Sequence, residues 1–263
     1  MCGGLGDDVA MGTNATFRFY EELNDFLPDG RRRRDFEVDI DRARSVKDAI
    51  ESVGVPHPEV DLILVDGLSV DFAHVLRGGE RVAVYPMFES LDVSPLQRLR
   101  NWPLRDPRFI ADGHLAKLAR HLRMAGFDTL WHRDWDDDRI VESARDERRT
   151  ILTRDKAMLR RGDVERGYFV RNTESEAQLG EVVARLQLGS ALRPFTRCRE
   201  CNTELEAVAQ SEVQDRLPEK VRGCYERFKR CAGCDRVYWE GTHFQRMNGL
   251  LGRLQAEIPS DAA

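Results

Sequence analysis

RTILTRDKAML, Arg149 to Leu159, sets the fold of the middle of this chain. Thr150 to Thr153 are β-branched or apolar and read as a short buried strand; Asp155 then stands between Arg154 and Lys156, and KAMLRR turns to helical spacing. The same alternation extends to both sides. RFIAD, HLAKLARHLRMAG, FDTLWH and DDDRIVESARDERR precede it, and GYFVR and ESEAQLGEVVARLQL follow. Strand-like runs separated by helical segments predict an α/β unit with a mostly parallel sheet, and such sheets bind ligands beyond the carboxyl ends of their strands. Asp155 falls at one such end.

Asp112 ends the first of these strands as Asp155 ends the third, and Asp136, Asp137 and Asp138 open a helix whose inward positions are Ile140, Val141 and Ala144. Carboxylates gathered at one sheet edge repel one another unless a divalent cation is present. Helix capping is the competing reading for Asp112, Asp136 and Asp155 taken singly. The helix after Asp112 buries Leu115, Leu118, Ala119 and Leu122 and sets Lys117, Arg120 and Arg123 on another face; Arg154, Lys156, Arg160, Arg161 and Arg171 add further cations. Acids surrounded by bases suit a phosphodiester substrate, with Lys117, Arg120, Arg123, Arg154 and Lys156 as candidate phosphate contacts. A solvated helix face is the alternative for these cations. His114, two residues past Asp112, could touch a phosphate, although a histidine at a helix start is more often incidental.

Cys198-x2-Cys201 and Cys231-x2-Cys234 carry the spacing of a closed four-thiolate site, which Zn²⁺ prefers and which leaves no position open for catalysis. A redox CxxC pair is the rival, without the βαβ setting that motif needs. Cys2 and Cys224 read as ordinary thiols. The intervening VQDRLPEKVRGCYERFKR is expected to be helical, and Tyr238, Trp239, His243, Phe244 and Arg246 offer stacking and charge to an unpaired strand.

Before the α/β unit, ATFRFYEEL and DFEVDI alternate as strands around a turn holding Arg31 to Arg34. SVKDAIESVGV is a helix capped by Ser45, and DLILVDG and RVAVYPMF are further strands. The order β-β-α-β-β predicts a small β-grasp domain. It resembles the ubiquitin-like sulfur carriers of molybdopterin and thiazole synthesis, down to the VDG hairpin and the LRGGERVAVYP ending. Those carriers act through a free terminal Gly-Gly, whereas here the chain runs on through the proline-bearing segment from Ser90 to Pro107. A sulfur-carrier adaptor would require processing at Gly78-Gly79. Binding or scaffolding, with a protein partner for this domain, is the expected role.

FIADGHLAKLARHLRMAGFDT, the acidic helix start and RTILTRDKAML together resemble the C-terminal ribonuclease domain first named in the Mut-seven exonuclease, a branch of the PIN-like nucleases often preceded in bacteria by a β-grasp unit. The resemblance runs from about Arg108 to His243. It implies three or four acids holding one or two Mg²⁺ or Mn²⁺ ions that activate water against an RNA phosphodiester, and a zinc ribbon after the nuclease domain. On matching positions Asp112 and Asp155 are metal ligands, and the third acid is Asp137 or, as second choice, Asp138. A fourth could come from the region of Asn172 and Glu174, where the asparagine departs from the pattern.

The expected organisation is a leader over 1–14, a β-grasp domain over 15–89, a linker over 90–107, a PIN-like domain over 108–190, a zinc ribbon over 191–247 and a tail over 248–263. The chain carries a net charge of −5, but residues 1–100 hold 19 acidic against 12 basic side chains, so the remainder is not acidic enough to exclude RNA. No apolar run is long enough to cross a membrane, and MCGGLGDDVAMGTN has no basic start or apolar core for export. These features predict a cytoplasmic, Mg²⁺- or Mn²⁺-dependent ribonuclease acting on single-stranded or structured RNA. A non-catalytic RNA-binding adaptor of the same fold is the alternative.

Overall fold

The computed structural model describes residues 14–40, 42–86, 99 and 107–257, and the chain divides into two units, Met1–Pro103 and Leu104–Ala263. The expected leader, apart from Asn14, and nearly all of the expected linker lie outside the described residues.

The first unit is ubiquitin-like. Its elements are β1 (Asn14–Phe19), β2 (Phe36–Asp39), β3 (Arg44–Ser45), α1 (Val46–Ser52), β4 (Val60–Val65), β5 (Leu68–Ser69), β6 (Val75–Leu76) and β7 (Arg81–Pro86). The main sheet has the order β2-β1-β7-β4-β5, with β7 parallel to β1 and antiparallel to β4, while β3 and β6 form a small second ladder. Ala15, Phe17 and Phe19 point into the core as the period-2 pattern requires. The Ser45 hydroxyl accepts a hydrogen bond from the Asp48 amide at 3.1 Å and so caps α1. Asp66 and Gly67, both at positive φ, make the two-residue hairpin that the VDG signal predicts. Gly78 and Gly79 lie in an internal turn held by the Glu80 carboxylate, which accepts from the Arg77 and Gly78 amides at 2.7 and 2.8 Å. A chain ending at Gly79 would lose β7, the strand between β1 and β4. In this fold the glycines therefore serve a turn and not a tail.

The second unit begins with β8 (Arg108–Ala111), α2 (Ala116–Ala125), β9 (Asp128–Leu130), α3 (Asp137–Asp146), β10 (Thr150–Thr153), α4 (Lys156–Leu159), β11 (Gly167–Phe169) and α5 (Ser175–Arg185). Its sheet has the order β11-β10-β8-β9, every pair parallel. The chain leaves β8 toward β9 and then crosses back to β10, so the direction of winding reverses between β8 and β10. Ligands of open α/β sheets bind in the crevice at such a reversal. On one face Ile110 and Ile151 pack with Ile140, Val141 and Ala144 of α3, with Met158 and with Val164. On the other, α2 packs against α5.

Gly126 closes α2 at φ +103, its amide donating to the Leu122 and Arg123 carbonyls, and a Cβ there would collide with the Arg193 carbonyl. The Arg193 amide in turn donates to the Ala125 carbonyl at 2.9 Å, which seats the start of the next module on the end of α2. That module is a three-stranded antiparallel sheet, β12 (Leu205–Val208), β13 (Phe228–Cys231) and β14 (Val237–Trp239), with α6 (Gln210–Val213) in the first crossing. The expected helix between the cysteine pairs is not formed. Beyond α6 the segment makes two single 3-10 turns and then β13, because Pro218 and Gly223 (φ +76) interrupt any longer helix. A last helix, α7 (Thr242–Glu257), runs from the expected ribbon into the expected tail over 248–263, with Met247 and Leu251 buried. It packs against α5, where Gly180 gives room to Leu254.

Candidate active site and metal centre

The parallel register places Leu152 opposite Ala111, and the Asp112 amide extends the ladder by donating to the Leu152 carbonyl at 2.9 Å. Asp112 and Asp155 thus leave adjacent strand ends. Thr153, fully buried, ties them together: its hydroxyl donates to Asp112 Oδ2 at 2.9 Å and accepts from the Asp155 amide at 2.9 Å. The capping alternatives divide. Asp112 makes no side-chain cap, whereas Asp155 Oδ1 accepts from the Ala157 amide at 2.7 Å and Asp136 accepts from the Arg139 amide at 2.9 Å. These bonds use one oxygen of Asp112 and one of Asp155. Partial burial, and then the carboxylates of Asp112 and Asp155, hold the Asp137 carboxyl above its usual range against the pull of Arg161. Asp137 therefore shares a field with both strand-end acids. Asp138 turns instead to Arg161, whose guanidinium reaches it at 2.6 Å and Asp163 at 2.9 Å.

The acid pocket is looser than the thiol centre: among the described residues, the four cysteines alone form a group of three or more side chains converging closely enough to hold a metal.

The candidate phosphate contacts have different fates. Lys117 is exposed on α2. Arg120 lies 3.6 Å from Glu200, and Lys156 sits 5.2 Å from the centre of the Phe169 ring. Arg154 donates to the carbonyls of Val170, Arg171 and Asn172 at 3.1, 2.7 and 2.5 Å, tying the end of β10 to the segment after β11. Arg123 is a correction. Only 4% exposed, it donates through Nε to the carbonyl of Thr129 at 2.8 Å and through Nη1 to those of Arg199 at 3.2 Å and Glu200 at 2.7 Å, so the side chain is buried against the cysteine module and is not set on an open face of α2.

In the region of Asn172 and Glu174, from which a fourth acid could come, Asn172 is committed to α5. The Asn172 side chain donates to Glu181 at 2.7 Å, and Glu181 also accepts from the Tyr168 hydroxyl and the amides of Arg171 and Asn172. Sequence reasoning missed both Glu181 and Thr153. Glu181 interrupts an otherwise ordinary helix pattern and gives no signal, whereas a threonine two residues before an acid at a strand end is a recognisable local hydrogen-bonding pattern.

The sulfur atoms of Cys198, Cys201, Cys231 and Cys234 lie within 4.8 Å of one another, with Cys201 3.3 Å from Cys231 and Cys198 3.5 Å from Cys234. A tetrahedron with metal–sulfur bonds of about 2.3 Å has edges of about 3.8 Å, so the donor set fits one ion. Burial pushes the Cys201 thiol up, yet its hydrogen bonds with Thr203 and with neighbouring thiols outweigh this and bring it to about 6; Cys234 is pushed up to about 12 by burial and by those neighbours. Tyr238 bonds Cys198 through its hydroxyl at 3.0 Å, Trp239 packs on the Val213, Leu217, Val221 and Phe228 core, Phe244 lies on Phe195, and Arg246 pairs with Glu176 at 2.5 Å. The side chain of His243 lies outside the described residues. Much of the expected aromatic surface thus supports the module, although Phe195, Lys229, Tyr238, Trp239 and Phe244 still line a cavity of about 440 Å³. Asn202 joins this centre to the sheet, donating to Asp128 Oδ1 at 2.6 Å and accepting from the Thr129 amide at 3.0 Å.

A parallel α/β domain with acids at its winding reversal stands between a ubiquitin-like domain and a four-thiol ribbon, and the family match makes the protein nuclease-like. The Mut7-C RNAse domain model matches residues 107–251, and the Mut7-C ubiquitin model matches residues 12–92. The chain belongs to the Mut7-C RNAse domain family. No curated protein and no solved structure matches it. Among the described residues no helix is long and apolar enough to cross a membrane.

Proposed function

We propose that this protein is a metal-dependent ribonuclease whose Asp112, Asp155 and Asp137 hold Mg²⁺ or Mn²⁺ against an RNA phosphodiester. The observation that carries this reading is the placement of Asp112 and Asp155 at adjacent parallel strand ends, both bonded to the Thr153 hydroxyl, in a family whose name is an RNAse domain; the Asp137 carboxyl, raised by burial and then by those two acids, fits it. Such a group of like charges favours a cation. A divalent ion, when bound, supplies Lewis-acid polarisation of the phosphate and eases ionisation of the attacking water.

The chain's own residues supply the rest. Thr153 fixes the carboxylate of Asp112 and the backbone of Asp155, the cap on α4 fixes the carboxylate of Asp155, and Asp136 fixes the start of α3 and hence Asp137. Pairing with Arg161 favours Asp137 over Asp138 as the third acid. Lys117, Arg120, Arg154 and Lys156 would steer phosphates toward the strand ends. The four cysteines would hold Zn²⁺ as a structural ion, which the reduced thiols of a cytoplasmic protein permit. The ribbon would assist RNA binding through Tyr238, Trp239 and Phe244, and the ubiquitin-like domain would bind a protein partner. The test is RNA cleavage by the full chain and by its Asp112→Asn variant with and without Mn²⁺; equal rates in every arm refute the assignment.

A further inference from the structure

The loop between β9 and α3, residues 131–136, is fastened at both ends beside the acids. Trp131 Nε1 donates to the carbonyl of Gly113, one residue past Asp112, at 3.1 Å, and Asp136 caps α3 through the Arg139 amide at 2.9 Å. Between these anchors His132 lies flat against Trp135, with ring centroids 4.9 Å apart and planes 7° from parallel. Trp135 packs on the α3 core and carries the Arg139 guanidinium 5.5 Å from its ring centre, so the stack is built outward from a fixed base. The outer member, His132, is exposed. Trp135 stands two residues before Asp137, which limits the separation of their Cα atoms to about 7 Å.

A parallel aromatic stack that ends on an exposed ring can accept one more flat ring, and every nucleobase presents a π face. In a duplex those faces are covered by neighbouring base pairs, whereas in a single strand they are available. We infer that His132, backed by Trp135, is a stacking platform for an unpaired base next to the scissile phosphate. The inference rests on the nuclease reading above and sharpens it, because it makes a single strand the preferred substrate.

Binding of labelled oligouridine and of a blunt RNA duplex to the full chain, measured by fluorescence anisotropy without added Mg²⁺ or Mn²⁺, tests it. His132→Ala is expected to weaken oligouridine binding about five- to tenfold and to leave duplex binding unchanged, in line with the contribution of one stacked base. His132→Phe should restore the single-strand affinity, which a lost imidazole charge would not allow. Unaltered oligouridine binding by His132→Ala, an equal loss on the duplex, or no oligouridine binding by the parent chain overturns the platform. The two readings fail separately: a parent that never cleaves with Mn²⁺ but shows the His132 effect defeats the nuclease alone. A cleaving parent whose His132→Ala variant binds normally defeats the platform alone.

Discussion

Replacing Arg123 with methionine separates the role that helix periodicity assigns to it from the role its contacts assign. Methionine keeps much of the stem's packing but removes every donor from a side chain only 4% exposed. Three carbonyl oxygens, those of Thr129, Arg199 and Glu200, then lose the guanidinium. An unsatisfied buried acceptor costs about 1–3 kcal/mol. Arg199 and Glu200 are only partly buried, so water can recover some of that loss, and the expected destabilisation of the second unit is about 3–5 kcal/mol, the range seen when buried charge networks are broken. Burial also holds the Arg123 guanidinium below its usual range, with the nearby Cys198 and Cys201 acting the other way, which fits a cation that faces the cysteine module and not a substrate. Urea unfolding followed by tryptophan fluorescence measures the change, with RNA affinity measured in parallel. Stability within about 0.5 kcal/mol of the parent, combined with weakened RNA binding, would refute this reasoning and restore Arg123 to the phosphate-binding face.

Asp128 should make stability acid-sensitive. Burial alone would raise its carboxyl, but hydrogen bonds from Arg149 and Asn202 outweigh burial and lower it. A depressed carboxylate contributes stability above its unfolded value near 3.9, and that contribution is lost as pH falls through the lower folded value. Asp128→Asn is therefore expected to be less stable than the parent at neutral pH and to lose less on acidification. A parallel fall of both proteins in pH-dependent denaturation would count against the pairing. Cys198→Ser is expected to abolish stoichiometric zinc by elemental analysis and to lower the thermal midpoint, since a structural ion contributes directly to folding. Full zinc content with an unchanged midpoint would mean that the thiols do not form one centre.

The parts of the fold visible in the sequence are those written in local periodicity. TILT followed by Asp155, and RFIA followed by Asp112, fix strand ends because a buried parallel strand needs a continuous apolar run and its polar exit is conspicuous. Ile140, Val141 and Ala144 follow in the same way from helical spacing. Arg123 was misread because the pattern of α2 identifies which face meets the sheet but not that a module nearly 80 residues later covers part of the remaining surface. The choice between Asp137 and Asp138 depended on which aspartate caps α3. Once Asp136 does so, the next residue shares a field with the strand ends and the one after it meets Arg161, a side chain 23 positions away. α7 escaped notice because Gly249 and Gly252 dilute its helical signal, while its burial comes from contact with α5.

The most direct test of the acidic pocket is the rate of RNA cleavage as Mn²⁺ is titrated into the full chain and into Asp112→Asn, Asp137→Asn and Asp138→Asn, with zinc content checked in each. The account predicts Mn²⁺-dependent cleavage by the parent, losses of about a hundredfold or more in the first two variants, and most of the activity retained in Asp138→Asn. Parental rates from Asp112→Asn, or a loss in Asp138→Asn as deep as that in Asp137→Asn, would contradict it.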